Sequence, residues 1–400
     1  MDRTSFLRLI SPEGQALLAE VGELDSKTDV LALVSKLRKH GHSTELVADV
    51  LSQAKLRRRA QAKFGDFAST MFFTEAGLEQ ASRLKVAAIH AGRFRGAGVT
   101  DVADLGCGIG AESLALASLE INVSAYELDE VTAAMATYNL AKFTNVKVEQ
   151  ADVTKLELSS FGGFFIDPAR RELEGPARES TKRKFDLTDL TPSFDFVLEI
   201  SKLKPTIAKL GPGIDHKDIP SEAEAVWVSD NGDLVEAGLY FNEVRRVEVA
   251  RAALLLTPNG SHEITSPNRA RTDAPLGDLA EYIFEPDNSV IRSHLIAELA
   301  EANELHIFAP EIAYLTGSKE LLSPWLKSYR VLDNLSFDRK KLKAYLRERG
   351  VGTLEIKKRG ADITPEQLRR ELDPKGPNSA TLIVTRVGTT HRVLVVEGVK

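Results

Sequence analysis

Apolar residues recur along this chain in two rhythms, and the rhythm changes near residue 100. Up to about residue 66 they fall three and four apart, the spacing of one helix face. Ser11-Pro12-Glu13 opens such a helix with an N-cap serine and a proline at the first helical position, and Leu17, Leu18, Val21 and Leu24 continue it. Residues 30–37 and 45–64 predict two more helices, and residues 83–93 a further one. Short apolar runs then take over at 102–105, 122–126, 146–149 and 163–166, with a helix-spaced segment at 111–119 after the first. Strands alternating with helices predict a mostly parallel sheet. A helix is expected over 191–203 and a fifth strand with its turn over 205–214. Runs at 225–228 and 235–241, split by Asn231-Gly232, read as a hairpin, and 247–256 as a further strand. Residues 261–278 are polar, with Pro267 and Pro275, and read as a linker. After a helix ending near 302, the pattern from 336 is helix to 349, strand 353–357, helix 364–372, and strands 380–387 and 391–396.

Composition narrows the class. Hydrophobic content of 43% and charged content of 28% are those of a globular protein. No run approaches the roughly 18 apolar residues of a membrane span, and the start lacks a cationic stretch followed by an apolar one. A cytoplasmic protein without membrane or metal partners is expected, and a monomer is favoured. The single cysteine, Cys107, rules out an internal disulfide, and no zinc spacing appears among the eight histidines. Charge is unevenly spread. The chain carries −6, yet residues 325–400 hold 17 Lys and Arg against 9 Asp and Glu. A basic module on an acidic body suggests a site for a polyanion.

The candidate chemistry starts at Asp104-Leu-Gly106-Cys107-Gly108-Ile-Gly110, between a strand and a helix. Alternating glycines let backbone lie close to a ligand. Their spacing is G-x-G-x-G rather than the G-x-G-x-x-G of dinucleotide sites, and Glu112 stands in the first helical turn, where a pyrophosphate would dock. A carboxylate there is harmless beside a sulfonium, so S-adenosylmethionine fits better than NAD. Acids recur at the following strand ends: Glu127, Asp152 and Asp167. The edge they mark is where open α/β sheets bind ligands. Asp167-Pro168-Ala169-Arg170 is the expected reacting corner, since a carboxylate and a carbonyl at a strand end can orient an amine. Phe72 and Phe73, just ahead of the sheet, are expected in the core or on a substrate lip. Arg170, Arg171 and four further cations up to Lys184 suit an anionic substrate. The basic run Lys55 to Arg59, with Lys63, could touch phosphates, but on a helix it reads rather as an exposed face.

From about residue 81 to 258, this order of motifs resembles the class I S-adenosylmethionine-dependent methyltransferases. The resemblance implies a Rossmann-like, mostly parallel seven-stranded sheet. It places Asp104, Gly106, Gly108 and Gly110 at the methionine end of the cofactor, Glu127 on the ribose and Asp152 on the adenine. Cys107, Leu128 and Val153 complete the expected cofactor-binding set. D-P-A-R is similar to the D-P-P-F/Y signature of methyltransferases acting on amino groups of adenine or guanine, which makes Asp167, Pro168 and Arg170 the expected catalytic residues. Ala169 departs from the second proline and Arg170 from the aromatic, leaving Arg170, Phe164 or Phe165 as the base-stacking partner. The end of the chain resembles the THUMP-like domain of certain bacterial methyltransferases, with Glu285-Pro-Asp287 and Ala313-Tyr-Leu-Thr316 as matching stretches. THUMP domains recognise RNA, which adds Lys357, Lys358 and Arg359 to Phe72, Phe73 and Arg171 as expected substrate contacts.

The expected domains are a helical one over 1–78, the methyltransferase over 79–260, a connection over 261–324 and a small α/β domain over 325–400. The expected activity is N-methylation of a base in tRNA or rRNA. A protein or small-molecule methyltransferase, or a non-catalytic RNA-binding protein with a degenerate cofactor site, are the alternatives.

Overall fold

The protein is described by a computed structural model covering residues 1–22, 24, 29–170 and 187–399. Two compact units emerge: Met1–Leu210 with Ile214–Ala223 and Gly238–Arg245, and Gly211–Gly213 with Glu224–Ala237 and Arg246–Lys400.

In the first unit, α1 (Arg3–Ile10), α2 (Pro12–Val21), α3 (Val30–Lys39) and α4 (Thr44–Phe64) come first. Their starts follow the capping chemistry: Asp2, Ser11, Asp29 and Ser43 each accept a backbone N–H from the first turn. The apolar face of α4, from Leu46 to Phe64, gathers Phe6, Leu9, Leu17, Leu18 and Leu37. The same core continues into Phe72, Phe73, Ile109, Leu114, Met135 and Leu140, so one body of apolar side chains crosses residue 78, where a domain boundary was expected.

Helices α5 (Glu75–Gln80) and α6 (Leu84–Gly96) lead to β1 (Asp101–Leu105), α7 (Ala111–Ser118), β2 (Asn122–Glu127), α8 (Glu130–Leu140), β3 (Val146–Gln150) and β4 (Gly163–Ile166). A two-residue pair, β5 (Ala169–Arg170) with β6 (Leu190–Thr191), precedes α9 (Phe194–Ser201) and β7 (Thr206–Leu210). The order is β3-β2-β1-β4-β7, and all of these pairings are parallel. The end of the strand Asp233–Phe241 follows β7 in that order. In parallel register, Leu105 faces Tyr126 and Ile166, so the carboxyl ends of β1, β2 and β4 are level. β1 and β4 are almost wholly buried, as strands covered on both faces should be.

In the second unit, β8 (Glu224–Asp230) is flanked by the start of β9 (Asp233–Phe241) and, in parallel, by β10 (Arg251–Thr257). β11 (Gly260–Ser266) pairs antiparallel with β10. That strand lies in the stretch read as a linker. It is an edge strand whose side chains are mostly polar and exposed, so it lacks the apolar signal of a strand. A seven-stranded sheet follows, built from β12 (Tyr282–Pro286), β13 (His306–Ile307), β14 (Leu315–Gly317), β15 (Leu326–Ser336), β16 (Val351–Lys358), β17 (Asn378–Val387) and β18 (Thr390–Gly398). Its order is β13-β14-β12-β15-β18-β17-β16. β15 was absent from the sequence reading, because its apolar residues do not alternate: Leu332, at a bulge between Val331 and Asp333, is exposed while its two neighbours are half-buried. α10 (Asn288–Arg292) and α11 (Ile296–Ala302) precede β13. α12 (Arg339–Glu348) and α13 (Pro365–Leu372) cover one face of the sheet through Leu342, Leu346, Leu368 and Leu372 against Leu382, Val384, Val393 and Val395. Ile383, Leu394 and Val396 point the other way, onto Phe308, Tyr314 and Tyr329.

Candidate functional site

β1 ends in a loop that only glycine can build. Gly106, Gly108 and Gly110 have φ of +95°, +54° and +92°, a region disfavoured for side chains. The N–H groups of Gly106 and Cys107 both donate to the Tyr126 carbonyl, at 2.9 and 2.8 Å, fastening the loop to the end of β2. Gly110 caps α7, and a Cβ there would stand 2.8 Å from Leu140 Cδ1. At Gly108 a Cβ would meet nothing within 4 Å, so its backbone borders open space.

Glu127, at the end of β2, is held by two amides: Gly108 N–H donates to its Oε2 and Asp129 N–H to its Oε1, each at 3.0 Å. A carboxylate so fixed keeps lone pairs for further donors. Leu128 beside it is 64% exposed, unusual for leucine and suited to lie against a flat apolar ring. After β3, Asp152 caps the turn at Val153–Lys155, accepting from Thr154 N–H and Oγ1 and pairing with Lys155. Those partners pull its carboxyl down to about 2, the hydrogen bond from Thr154 Oγ1 most of all. Val153 is buried behind it.

Beneath the loop lies a layer of buried acid. Asp104 Oδ2 accepts from Ser113 Oγ at 2.5 Å, while Oδ1 has no hydrogen-bond partner among the described residues. Burial pushes its carboxyl up to about 7, with Glu112, Asp167 and Glu127 adding to the effect and Ser113 opposing it. An orphaned acceptor of this kind favours a cation close by. Glu112 is buried too, not aimed at the loop's open side, and its Oε2 lies 3.1 Å from His90 Nδ1. Burial works against its charge, but His90 and a hydrogen bond from Ser82 leave its carboxyl below the ordinary value. Burial drives the Cys107 thiol well above its usual range, so it packs as a small thiol.

The next corner follows β4. Asp167 and Pro168 follow directly on Ile166, where the strand ends, and a Cβ on Gly106 would lie 3.9 Å from the Asp167 carbonyl oxygen. Asp167 Oδ2 is ion-paired with Lys209 of β7, a partner the sequence reading did not name. The parallel register could have found it: Ile166 faces Ala208, so the next positions on both strands are neighbours. Phe164 and Phe165 are fully buried and cannot reach a base, which removes both as stacking partners. The Arg170 side chain and Arg171 lie outside the described residues.

Phe72 and Phe73 are likewise core residues and form no lip. Phe72 meets Phe6 and Tyr138 edge-on, with ring centroids at 5.6 and 4.9 Å, and Phe73 meets Phe64 at 5.4 Å. They anchor a strap, residues 71–81, which α4 grips along its length. Gln53 exchanges two hydrogen bonds with the Phe73 backbone, Arg57 donates to the Met71 carbonyl, and Arg59 pairs with Glu75. Lys63 donates to the carbonyls of Leu78, Glu79 and Ala81. Burial lowers its pKa to about 8, helped by the nearby Lys209. Much of the basic run on α4 is thus engaged as clamps, not left as a free face. Asn139 of α8 exchanges bonds with the Phe72 N–H and carbonyl and also donates to the Ile109 carbonyl at 3.0 Å, joining the strap to the glycine loop.

In the second unit, Lys357 donates to Glu285 Oε2 at 2.8 Å and lies over Tyr329, and Arg359 approaches Glu285 while covering Tyr314. Lys358 points outward. Among the described residues no group of three or more His, Cys, Asp or Glu could hold a metal, and no helix is long and apolar enough to cross a membrane.

Three comparisons bear on this arrangement. A family model described as THUMP domain-like matches residues 326–398, and one described as a domain of unknown function matches residues 2–60. Two relatives from Mycobacterium tuberculosis, strains CDC 1551 / Oshkosh and ATCC 25618 / H37Rv, are each called an uncharacterized S-adenosylmethionine-dependent methyltransferase. Each is 31% identical over 342 residues, covering 83% of this chain and 91% of the relative. The crystal structure of a protein from Porphyromonas gingivalis W83, named as a methyltransferase, superposes with a TM-score of 0.72 at 20% identity. It covers 94% of this chain and 100% of that one, and shows the same fold.

Proposed function

The chain belongs to the S-adenosylmethionine-dependent methyltransferases, and from that premise we propose that it methylates a nitrogen of a base in structured RNA, transfer or ribosomal. The observation that carries the nitrogen is the Asp167-Pro168 corner, set at the end of β4 beside the glycine loop. The RNA is supported by the THUMP-like match over 326–398 and by the excess of 17 cations over 9 acids in residues 325–400.

When bound, S-adenosylmethionine supplies a methyl group on a positively charged sulfonium. The residues present suit it. The open backbone at Gly108 admits close approach, Glu127 offers acceptor sites for ribose hydroxyls, and Leu128 with Asp152 borders the adenine position. Asp104 Oδ1, without a hydrogen-bond partner among the described residues, favours the donor's positive charge. At the acceptor, the Asp167 carboxylate and the Pro168 carbonyl would accept hydrogen bonds from the two N–H groups of an exocyclic amine, which leaves the nitrogen lone pair available for the methyl group. Proline brings no N–H to compete for that position. The work is chiefly orientation, which can supply about 7–11 kcal/mol of barrier lowering.

Asp167→Ala is expected to lower transfer of labelled methyl to total RNA about 100-fold or more, with calorimetric affinity for S-adenosylmethionine nearly unchanged. Unaltered turnover would remove Asp167 from the mechanism. Label appearing in nuclease-resistant material would remove RNA as the substrate.

A further inference from the structure

We propose that Lys63 of α4 is a positioning residue for the cofactor site, holding the end of the strap where that end meets the glycine loop and the helix after it. This role rests on membership of the methyltransferase family alone, and on neither the RNA nor the nitrogen proposed above.

α5 is six residues long, and the carbonyls at its end have no partner inside the helix. Two lysines take four successive carbonyls there. Lys63 donates to those of Leu78, Glu79 and Ala81 at 2.7, 2.8 and 2.9 Å, and Lys209 donates to that of Gln80 at 3.3 Å. Lys63 thus commits all three donors of its ammonium to one short stretch of backbone. A cation suits this place, because carbonyl dipoles converge at a helix end. Its own footing is firm, since the next residue, Phe64, is buried in the core that α4 shares with the strap.

Around this cap the strap meets the site at three points. Gly77 packs on Ile109 of the loop, where a Cβ would stand 2.8 Å from Cγ2. Gln80 reaches Lys209, which is ion-paired with Asp167. Ser82, buried just past the cap, hydrogen-bonds to Glu112 in the first turn of α7. The three bonds of Lys63 go to the strap and none to the loop, so its influence on the cofactor passes through the strap. Asn139 fixes the start of the strap at Phe72, and Lys63 fixes its end.

Lys63→Met, Lys63→Arg and Arg59→Ala are compared with wild type by calorimetric titration with S-adenosylmethionine and by amide hydrogen exchange. Lys63→Met is expected to raise the dissociation constant about 10-fold. Exchange should quicken over residues 75–85 and 106–112 and stay unchanged in the C-terminal sheet. Lys63→Arg, which keeps a charged donor, is expected to recover most of the affinity. Arg59→Ala loses an exposed pair at the start of α5 and is expected to bind as wild type does. Unchanged affinity in Lys63→Met overturns the proposal. Weaker binding with faster exchange throughout α1 to α4, unrepaired by arginine, also overturns it, since that pattern marks a residue needed only for folding.

Discussion

The glycine loop and the strap over 71–81 border the same site but are specified in opposite ways. The loop is local: three positive φ values within five residues, between a strand and the helix that follows. The strap is held from afar, by Gln53, Arg57, Arg59 and Lys63 of α4 and by Asn139, which lies 67 residues beyond Phe72. The two meet at the Ile109 carbonyl, which Asn139 binds, and at Gly77, where a Cβ would come within 2.8 Å of Ile109 Cγ2. A loop shaped by backbone conformation thus depends for its position on a strap shaped by side chains.

Four substitutions separate these contributions, beginning with the largest. Gly110→Val places a branched side chain at φ +92° and against Leu140, and should abolish measurable cofactor binding in a calorimetric titration. Retained binding would show that the loop tolerates rearrangement. Asn139→Ala strands the buried Phe72 N–H and two carbonyls, and should cost about 3 kcal/mol of stability by denaturant melting. If it weakens the cofactor as well, strap and loop are coupled; if stability alone falls, they are independent.

Asp104 gives a smaller effect with a definite sign. Its folded carboxyl titrates near 7, above the 3.8 of an ordinary aspartate, so the folded state holds the proton through a window in which the unfolded chain has lost it. Stability from this group is present at low pH and declines as pH rises from about 4 to about 7. Asp104→Asn should flatten that decline in melts between pH 5 and 8, and an unchanged slope would assign the dependence elsewhere. Arg59→Ala, removing an exposed pair with Glu75, should cost less than about 1 kcal/mol and leave cofactor affinity intact.

The contrast also explains what could be read in advance. The first four strands, the glycine loop and the capped helices are written in short spans, and Glu127 and Asp167 fall at strand ends as expected. Glu112 was placed correctly in the chain but not in space, because its partner His90 lies on α6, 22 residues earlier. Phe72 and Phe73 are an apolar pair whose environment is set by Phe6, Phe64 and Tyr138, remote in sequence, so burial and a substrate lip looked alike. Lys357 and Arg359 carried the charge of a phosphate contact, yet Glu285, some 70 residues away, engages both. The edge strand β11 was missed because its side chains are almost all polar, and β15 because its apolar residues do not alternate, Leu332 being exposed at the bulge.

The most direct test of the account is a mass-spectrometric comparison of digested RNA nucleosides from cells with and without the gene. The account predicts that one base-methylated nucleoside, carrying its methyl on nitrogen, disappears with the gene and returns with the wild-type protein but not with Asp167→Ala. Unchanged nucleosides, or loss of a methyl carried on carbon or on the ribose 2′-oxygen, would contradict it.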